Sequence, residues 1–144
     1  MTNTLLVGID GSDGSRRAAD FAAARAKAAG ARVIVAYVIE WSQYSFNTPE
    51  ENEMRHKRRE EEIGRAQAQV LDPVVAALKS SGIEAESIVR HGHPAQVLCS
   101  LAVETGAVQI FIGRRGLSRL EVLLFGSVAG TLVQMSPVPV TVVP

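Results

Sequence analysis

Three glycines and a serine at fixed spacing carry the clearest chemical signal in this chain. Gly113-Arg114-Arg115-Gly116 follows the apolar run Val108–Ile112, and Gly126-Ser127 comes after nine further residues. Glycine permits unusual backbone angles and lets a bulky anion approach closely. Ser127 opens a segment of helical character, so free amide groups and a positive dipole end would face the same anion. The pattern indicates a phosphate-binding loop, and a purely structural glycine turn is the alternative.

A second polar group, Asp10-Gly11-Ser12, follows the apolar run Leu5–Ile9. If the strands that end at Asp10 and Gly113 are neighbours, a carboxylate and a phosphate cradle share one crevice. The glycine spacing differs from a P-loop, because no Lys follows the second glycine, and from the dinucleotide fingerprint in both spacing and position. Binding of a nucleotide phosphate through backbone amides and a hydroxyl remains chemically reasonable.

Other chemistries find less support. His91 and His93 form a pair without a third protein ligand, which makes a poor zinc site. The segment from Asp10 to Gly14 begins like a calcium loop, but basic and apolar residues occupy the later ligand positions. Ser127 has no assigned base and no nucleophile-elbow motif surrounds it. A phosphoacceptor receiver is disfavoured, because no Asp follows the third strand and no Lys lies near the fifth. We therefore assign no catalytic and no metal-ligating residue.

The elements that must position these residues alternate along the chain. Apolar, β-branched runs predict five strands, at residues 5–9, 33–39, 83–90, 108–112 and 138–143. Helices are predicted between them: one from Ser12 or Asp13 to Gly30, one from Thr48 to Lys79 with a kink at Pro73, one from Pro94 to Gly106, and one from Ser127 to about Gln134.

Alternating strands and helices predict right-handed crossovers and a three-layer α/β fold. We expect a single domain over residues 1–144, with an open, doubly wound, five-stranded parallel sheet of order 3-2-1-4-5 and helices on both faces. Ligands of such sheets bind at the carboxyl ends of the strands, where the winding reverses. This places the crevice between the first and fourth strands.

Composition narrows the function classes. The fifteen basic and fifteen acidic residues balance, so the chain has no positive net charge that would attract nucleic acid or an anionic membrane surface. The single Cys99 fits a reducing compartment, the N-terminus lacks a basic leader, and no apolar run reaches membrane-spanning length. We expect a cytoplasmic protein.

The last strand predicts a partner. Pro139 cannot donate to a strand ladder, which places Val138–Val143 at a sheet edge. An apolar edge strand promotes aggregation unless another chain covers it. We therefore expect a homodimer through Val138–Val143.

Nearly end to end, the chain resembles the nucleotide-binding type of the universal stress protein family. The matching pieces are residues 5–12, Ala36-Tyr37-Val38, Gly92-His93-Pro94-Ala95, Gly113-x2-Gly116-x9-Gly126-Ser127 and residues 137–143. The resemblance implies ATP as ligand, with Mg²⁺ bridging its phosphates, a dimer through the last strand, and an unknown protein partner.

The resemblance also implies roles for single residues. Asp10 would approach the ribose or adenine, Val38 would meet the adenine through its backbone, and Gly113 and Gly116 would let the loop wrap the ribose and phosphates. Gly126, Ser127 and the amide of Val128 would hold phosphate oxygens. The full expected set is Ile9, Asp10, Gly11, Val38, Ile112, Gly113, Arg114, Arg115, Gly116, Gly126, Ser127 and Val128.

Three positions depart from the family pattern: Arg114 replaces a small Ser or Thr, Val108 replaces an Asp, and His93 stands where Asp often caps a helix. If Arg114 or Arg115 reaches the phosphates, the added charge should favour ATP over AMP. We expect a nucleotide-dependent regulatory or stress-response module with at most slow ATP hydrolysis. The alternative is a dimeric interaction module that binds no nucleotide.

Overall fold

The computed structural model describes residues 2–40, 49–116 and 127–144 of the chain, which form a five-stranded parallel sheet in the order β3-β2-β1-β4-β5. The strands are β1 (Thr4–Gly8), β2 (Arg32–Ile39), β3 (Ala85–His91), β4 (Gln109–Gly113) and β5 (Val140–Val143). The helices are α1 (Asp13–Ala29), α2 (Pro49–Arg65), α3 (Asp72–Ser80), α4 (Pro94–Thr105) and α5 (Ser127–Met135). The predicted strand order and doubly wound architecture are confirmed.

Alternation along the central strands divides the core between the two faces of the sheet. Leu5, Val7, Val33 and Val35 are buried on the face that α1 and α3 cover. Leu6, Ile34 and Ala36 are buried on the opposite face, under α4 and α5. A strand that is covered on both faces has apolar side chains at nearly every position. The sequence of such a strand is therefore a continuous apolar run, which is why the positions of these strands could be predicted.

The ends of α1 follow the predicted signals. The Ser12 hydroxyl accepts a hydrogen bond from the Ser15 amide and caps the helix, and Gly30 ends it at φ 67°. The apolar residues of α1 recur at helical spacing (Ala18, Phe21, Ala22, Ala26 and Ala29), which predicts one buried stripe. Ala18, Ala22 and Ala26 are buried, but the prediction is wrong for Ala29, which is exposed, and for Phe21, which is 48% exposed. Its ring only partly covers that of the buried Phe111, with 6.1 Å between the ring centroids.

The long helix predicted up to Lys79 is interrupted differently from the expected proline kink. A π-helical turn, Ala66–Leu71, separates α2 from α3, and the Asp72 amide donates to the Gln67 carbonyl five residues earlier. Pro73 has no N–H and its ring crowds the preceding turn, which the wider π geometry accommodates. The extra residue rotates the helix, so that Leu71 and Leu78 are buried while Ala77 is exposed.

The last strand lies at an edge of the sheet, as predicted, but it starts two residues later. Val138 and Pro139 belong to a turn in which the Ser136 hydroxyl bonds the Val138 amide and carbonyl. The Pro139 carbonyl still accepts a hydrogen bond from the Ile110 amide at 2.9 Å. Pro139 thus takes part in the pairing as an acceptor, although it has no N–H to donate. No helix of the described residues is long and apolar enough to cross a membrane.

Candidate functional site

A crevice of about 680 Å³ opens at the carboxyl ends of β1, β2 and β4. Its position follows from the topology: β1 pairs with β2 on one side and with β4 on the other, and crossovers leave in opposite directions there. Residues from all three strand ends, from the first turn of α5 and from the end of α2 line it. The expected adjacency of the β1 and β4 ends is therefore correct.

Hydrogen bonds fix the segment after β1. The Asp10 amide donates to the Ser15 hydroxyl at 3.3 Å, and the Ser12 amide donates to Asp10 Oδ1 at 2.9 Å. The Ser15 hydroxyl in turn donates to the Ser12 carbonyl at 2.9 Å. Ser15, of which 5% is exposed, thus connects the start of α1 to the strand end. The Asp10 carboxylate is held in place, and it lines the crevice.

Glycines let the loop after β4 pack directly on this segment. A β-carbon at Gly113 would lie 2.6 Å from the carbonyl carbon of Gly14 and 2.9 Å from the Ser15 nitrogen. One at Gly14 would lie 2.6 Å from the Arg115 carbonyl oxygen, and one at Gly116 would lie 2.5 Å from Asp10 Oδ2. Residues 10–15 and 113–116 therefore form one close-packed unit, here called the crevice floor.

The two arginines of the loop separate. Arg115 lines the crevice, whereas Arg114 does not. The main-chain amide of Arg114 donates to the Val143 carbonyl at 2.7 Å and so continues the β4–β5 ladder, and its side chain is exposed. Of these two arginines, Arg115 is the one that is placed to meet a bound anion.

Residues from both faces of β2 line the crevice at the end of the strand. Val38 packs partly against the core under α4 and α5, while Tyr37 packs on the opposite face, and both line the crevice. Burial raises the pKa of the Tyr37 phenol above its usual 10.0, and the nearby carboxylates of Asp10 and Glu62 raise it further. The phenol therefore stays protonated at neutral pH and keeps its hydroxyl as a hydrogen-bond donor.

One helical face forms a boundary that the sequence did not predict. Glu62, Arg65, Ala66, Gln69 and Val70 line the crevice from the last turn of α2 and the π-helical turn, and they are here called the helical wall. Their spacing of three, four, seven and eight residues from Glu62 is that of a single helical face. This spacing was visible in the sequence, but the charge density of α2 indicated only a solvated surface.

The remaining expected site residues fall into three groups. Ile9, Ile112 and Val128 line the crevice. Gly11, at φ 85°, lines instead a second cavity of about 380 Å³ between α1 and α3, and a β-carbon there would lie 3.5 Å from Val70. Gly126 lies outside the described residues, and of Ser127 the structure describes only that it is the first residue of α5.

The chemistry available in the crevice is binding chemistry. Its described charges are three carboxylates (Asp10, Glu40 and Glu62) and two guanidinium groups (Arg65 and Arg115). Within residues 2–40, 49–116 and 127–144, no three His, Cys, Asp or Glu side chains are grouped as metal ligands require. His91 and His93 do not line the crevice, and His91 Nε2 is buried without a partner among these residues.

Comparison with known proteins gives concordant matches. The sequence profile described as "Universal stress protein family" matches residues 1–144. The universal stress protein YxiE of Bacillus subtilis is 31% identical over 152 aligned residues, covering 99% of each chain. The universal stress protein UspA from Lactobacillus plantarum superposes with a TM-score of 0.87 at 19% identity, over 99% of this chain and 97% of that one. A universal stress protein solved in complex with cAMP is 27% identical, with a TM-score of 0.72, over 99% of this chain and 97% of that one.

Proposed function

This chain belongs to the universal stress protein family, and from that premise we propose that it binds ATP and acts as a nucleotide-dependent regulatory module of the stress response in the cytoplasm. One observation carries the proposal: Asp10, Val38, Arg115, Gly116 and Val128, which come from four separate segments of the sequence, line a single crevice. A relative solved with cAMP supports an adenine nucleotide as the ligand class.

The crevice matches a nucleotide in size and polarity. Its volume of about 680 Å³ falls in the usual range of roughly 300–1,000 Å³ for small-molecule sites. Arg115 and the amides at the start of α5 would receive the phosphates. Because carboxylates outnumber guanidinium groups among the described lining residues, a triphosphate is best accommodated together with Mg²⁺.

Hydrolysis would be slow at most. Asp10 is the carboxylate that could orient a water, but its Oδ1 already accepts the Ser12 amide and its Oδ2 lies against Gly116. The chain lacks a P-loop lysine, which supplies charge stabilisation in fast phosphoryl transfer.

We further propose a homodimer in which two β5 edges meet. Phe21, Val133 and Met135 are 48%, 53% and 43% exposed, and they belong to α1 and α5, the two helices that contact β5. Apolar side chains beside an edge strand are what a second copy would cover.

A second candidate function has its own support. Gly113 and Gly116 are required by contacts within the crevice floor, so their presence is explained without a ligand. On this alternative the protein is a dimeric interaction module that binds no nucleotide, and the glycines only permit close packing.

Thermal unfolding with and without Mg-ATP separates the two candidates. ATP at about a hundred times its dissociation constant stabilises the folded state by roughly 2.7 kcal/mol, which should raise Tm by about 5–10 °C for a chain of this size. Ser127→Ala should reduce that shift by weakening a charge-assisted hydrogen bond. An unchanged Tm for the native protein at millimolar Mg-ATP would contradict nucleotide binding and favour the interaction module.

A further inference from the structure

The two ends of the crevice differ in charge. At the β4 end lie Arg115 and the first turn of α5, where a bound phosphate finds positive charge. At the β2 end lie the carboxylates of Glu40 and Glu62, together with Arg65 on the same helical face as Glu62, and Asp10 stands between the two ends. A nucleotide with its phosphates at the β4 end therefore presents its uncharged, hydroxyl-bearing part to carboxylates, which only accept hydrogen bonds.

Glu62 enters the crevice because of the helical wall. The residue belongs to the last turn of α2, and its face continues through Arg65 and Gln69 in the π-helical turn. Among the described residues, Glu62 forms neither a hydrogen bond nor an ion pair. Glu62 lines the crevice, whereas the neighbouring acidic residues Glu60 and Glu61 do not.

A chain of neighbours connects Glu62 to the glycine loop. Gly116 lies against Asp10 Oδ2, and the carboxylates of Asp10 and Glu62 both act on the Tyr37 phenol. Asp10 therefore stands next to the loop that would hold the phosphates, and Glu62 lines the same crevice from the helical wall. In a nucleotide, the group next to the phosphate is the ribose, whose two hydroxyls are adjacent donors.

We propose that Glu62 is a specificity-determining residue that, together with Asp10, accepts hydrogen bonds from the ribose hydroxyls of the bound nucleotide. The inference rests on the proposed nucleotide binding and adds a preference for ribonucleotides over deoxyribonucleotides. Carboxylates serve this purpose in other nucleotide sites, where an acidic residue hydrogen-bonds a ribose hydroxyl. A deoxy ligand would leave the carboxylate beside it without this hydrogen-bond donor, and this disfavours the deoxy ligand.

The test is calorimetric titration of the full chain with ATP, 2′-deoxy-ATP and 3′-deoxy-ATP, each with Mg²⁺. The native protein should bind ATP about tenfold more tightly than either analogue. In Glu62→Ala, the preference for ATP over one of the two analogues should fall about tenfold. The ribose hydroxyl that this analogue lacks has no hydrogen-bond partner in the variant, so ATP gains nothing from carrying it. Glu62→Gln, which keeps an acceptor oxygen without the charge, should give an intermediate preference.

Glu61→Gln is the matched control, because Glu61 precedes Glu62 on the same exposed helix and does not line the crevice. It should keep the native preference. The inference is wrong if Glu62→Ala retains that preference, if Glu61→Gln reduces it equally, or if the native protein binds ATP without discriminating the analogues. If the native protein binds none of the three compounds, the proposed function fails, and this inference fails with it.

Discussion

The crevice floor and the helical wall bound the same cavity but are held in place by different means. In the floor, main-chain atoms of Gly14 and Ser15 approach Gly113 so closely that no β-carbon fits, and Ser15 connects the parts by hydrogen bonds. In the wall, α2 buries none of its seventeen residues, and Gly64 has no atom within 4 Å of the position of a β-carbon. The floor is thus specified by packing, whereas the α2 part of the wall, which is not packed on the core, is free to be specified by a ligand.

The largest effect should come from adding one methyl group to each region. Gly113→Ala forces a β-carbon against backbone that cannot rotate away, and it should lower the free energy of unfolding by about 2–3 kcal/mol. Gly64→Ala adds the same group to open space in a helix and should raise that free energy by about 0.5–1 kcal/mol. Urea unfolding of both variants measures the difference. Equal destabilisation by the two variants would contradict the contrast between floor and wall.

A smaller effect should distinguish the two neighbouring arginines of the floor. Arg115→Ala removes a guanidinium that lines the crevice, and it should weaken Mg-ATP binding about tenfold in calorimetry. Arg114→Ala keeps the main-chain bond to Val143 and changes only an exposed side chain, so the affinity should stay within about twofold. If both variants bind equally well, the floor does not hold the phosphates.

The smallest effect concerns Tyr37, which lies between the two regions. Since its pKa is raised in the folded state, its stabilising contribution is complete below the unfolded pKa of 10.0 and is lost as the pH rises through the folded pKa. Tyr37→Phe should therefore reduce the loss of stability above pH 10.0 and leave neutral pH unaffected by this ionisation. The phenolate absorbance of native and variant protein, taken as a difference, should show Tyr37 ionising above pH 10.0. A transition below that value would contradict the assigned surroundings.

The same contrast explains what could be predicted from the sequence. The positions of the strands, the capping by Ser12 and the glycine loop follow from apolar runs, local caps and glycine spacing, which are short-range signals. The strand order, and with it the meeting of the strand ends at Asp10 and Gly113, was expected from the doubly wound pattern of alternating strands and helices. Phe21 was misassigned because periodicity identifies a helical face but not how far the neighbouring element covers it. The wall was missed because the charge density of α2 indicated only a solvated surface, and the π-helical turn that completes the wall was not predicted.

The role of the two loop arginines could not be separated by sequence either. They are adjacent and chemically identical, and only the three-dimensional structure distinguishes them: the Arg114 amide continues the β4–β5 ladder, whereas Arg115 lines the crevice. The identity of the ligand is even harder to predict from the sequence, because it depends on how carboxylates from different elements come together in the folded chain.

The exposed course of α2 has a practical consequence for engineering. Because none of its residues is buried, its outer turns could be lengthened, shortened or replaced by a reporter without opening a void in the core. Its final turn nevertheless borders the crevice through Glu62 and Arg65. An optical label attached to this helix would be separated from a ligand in the crevice only by the helix itself. This makes α2 a suitable attachment point for a small-molecule sensor.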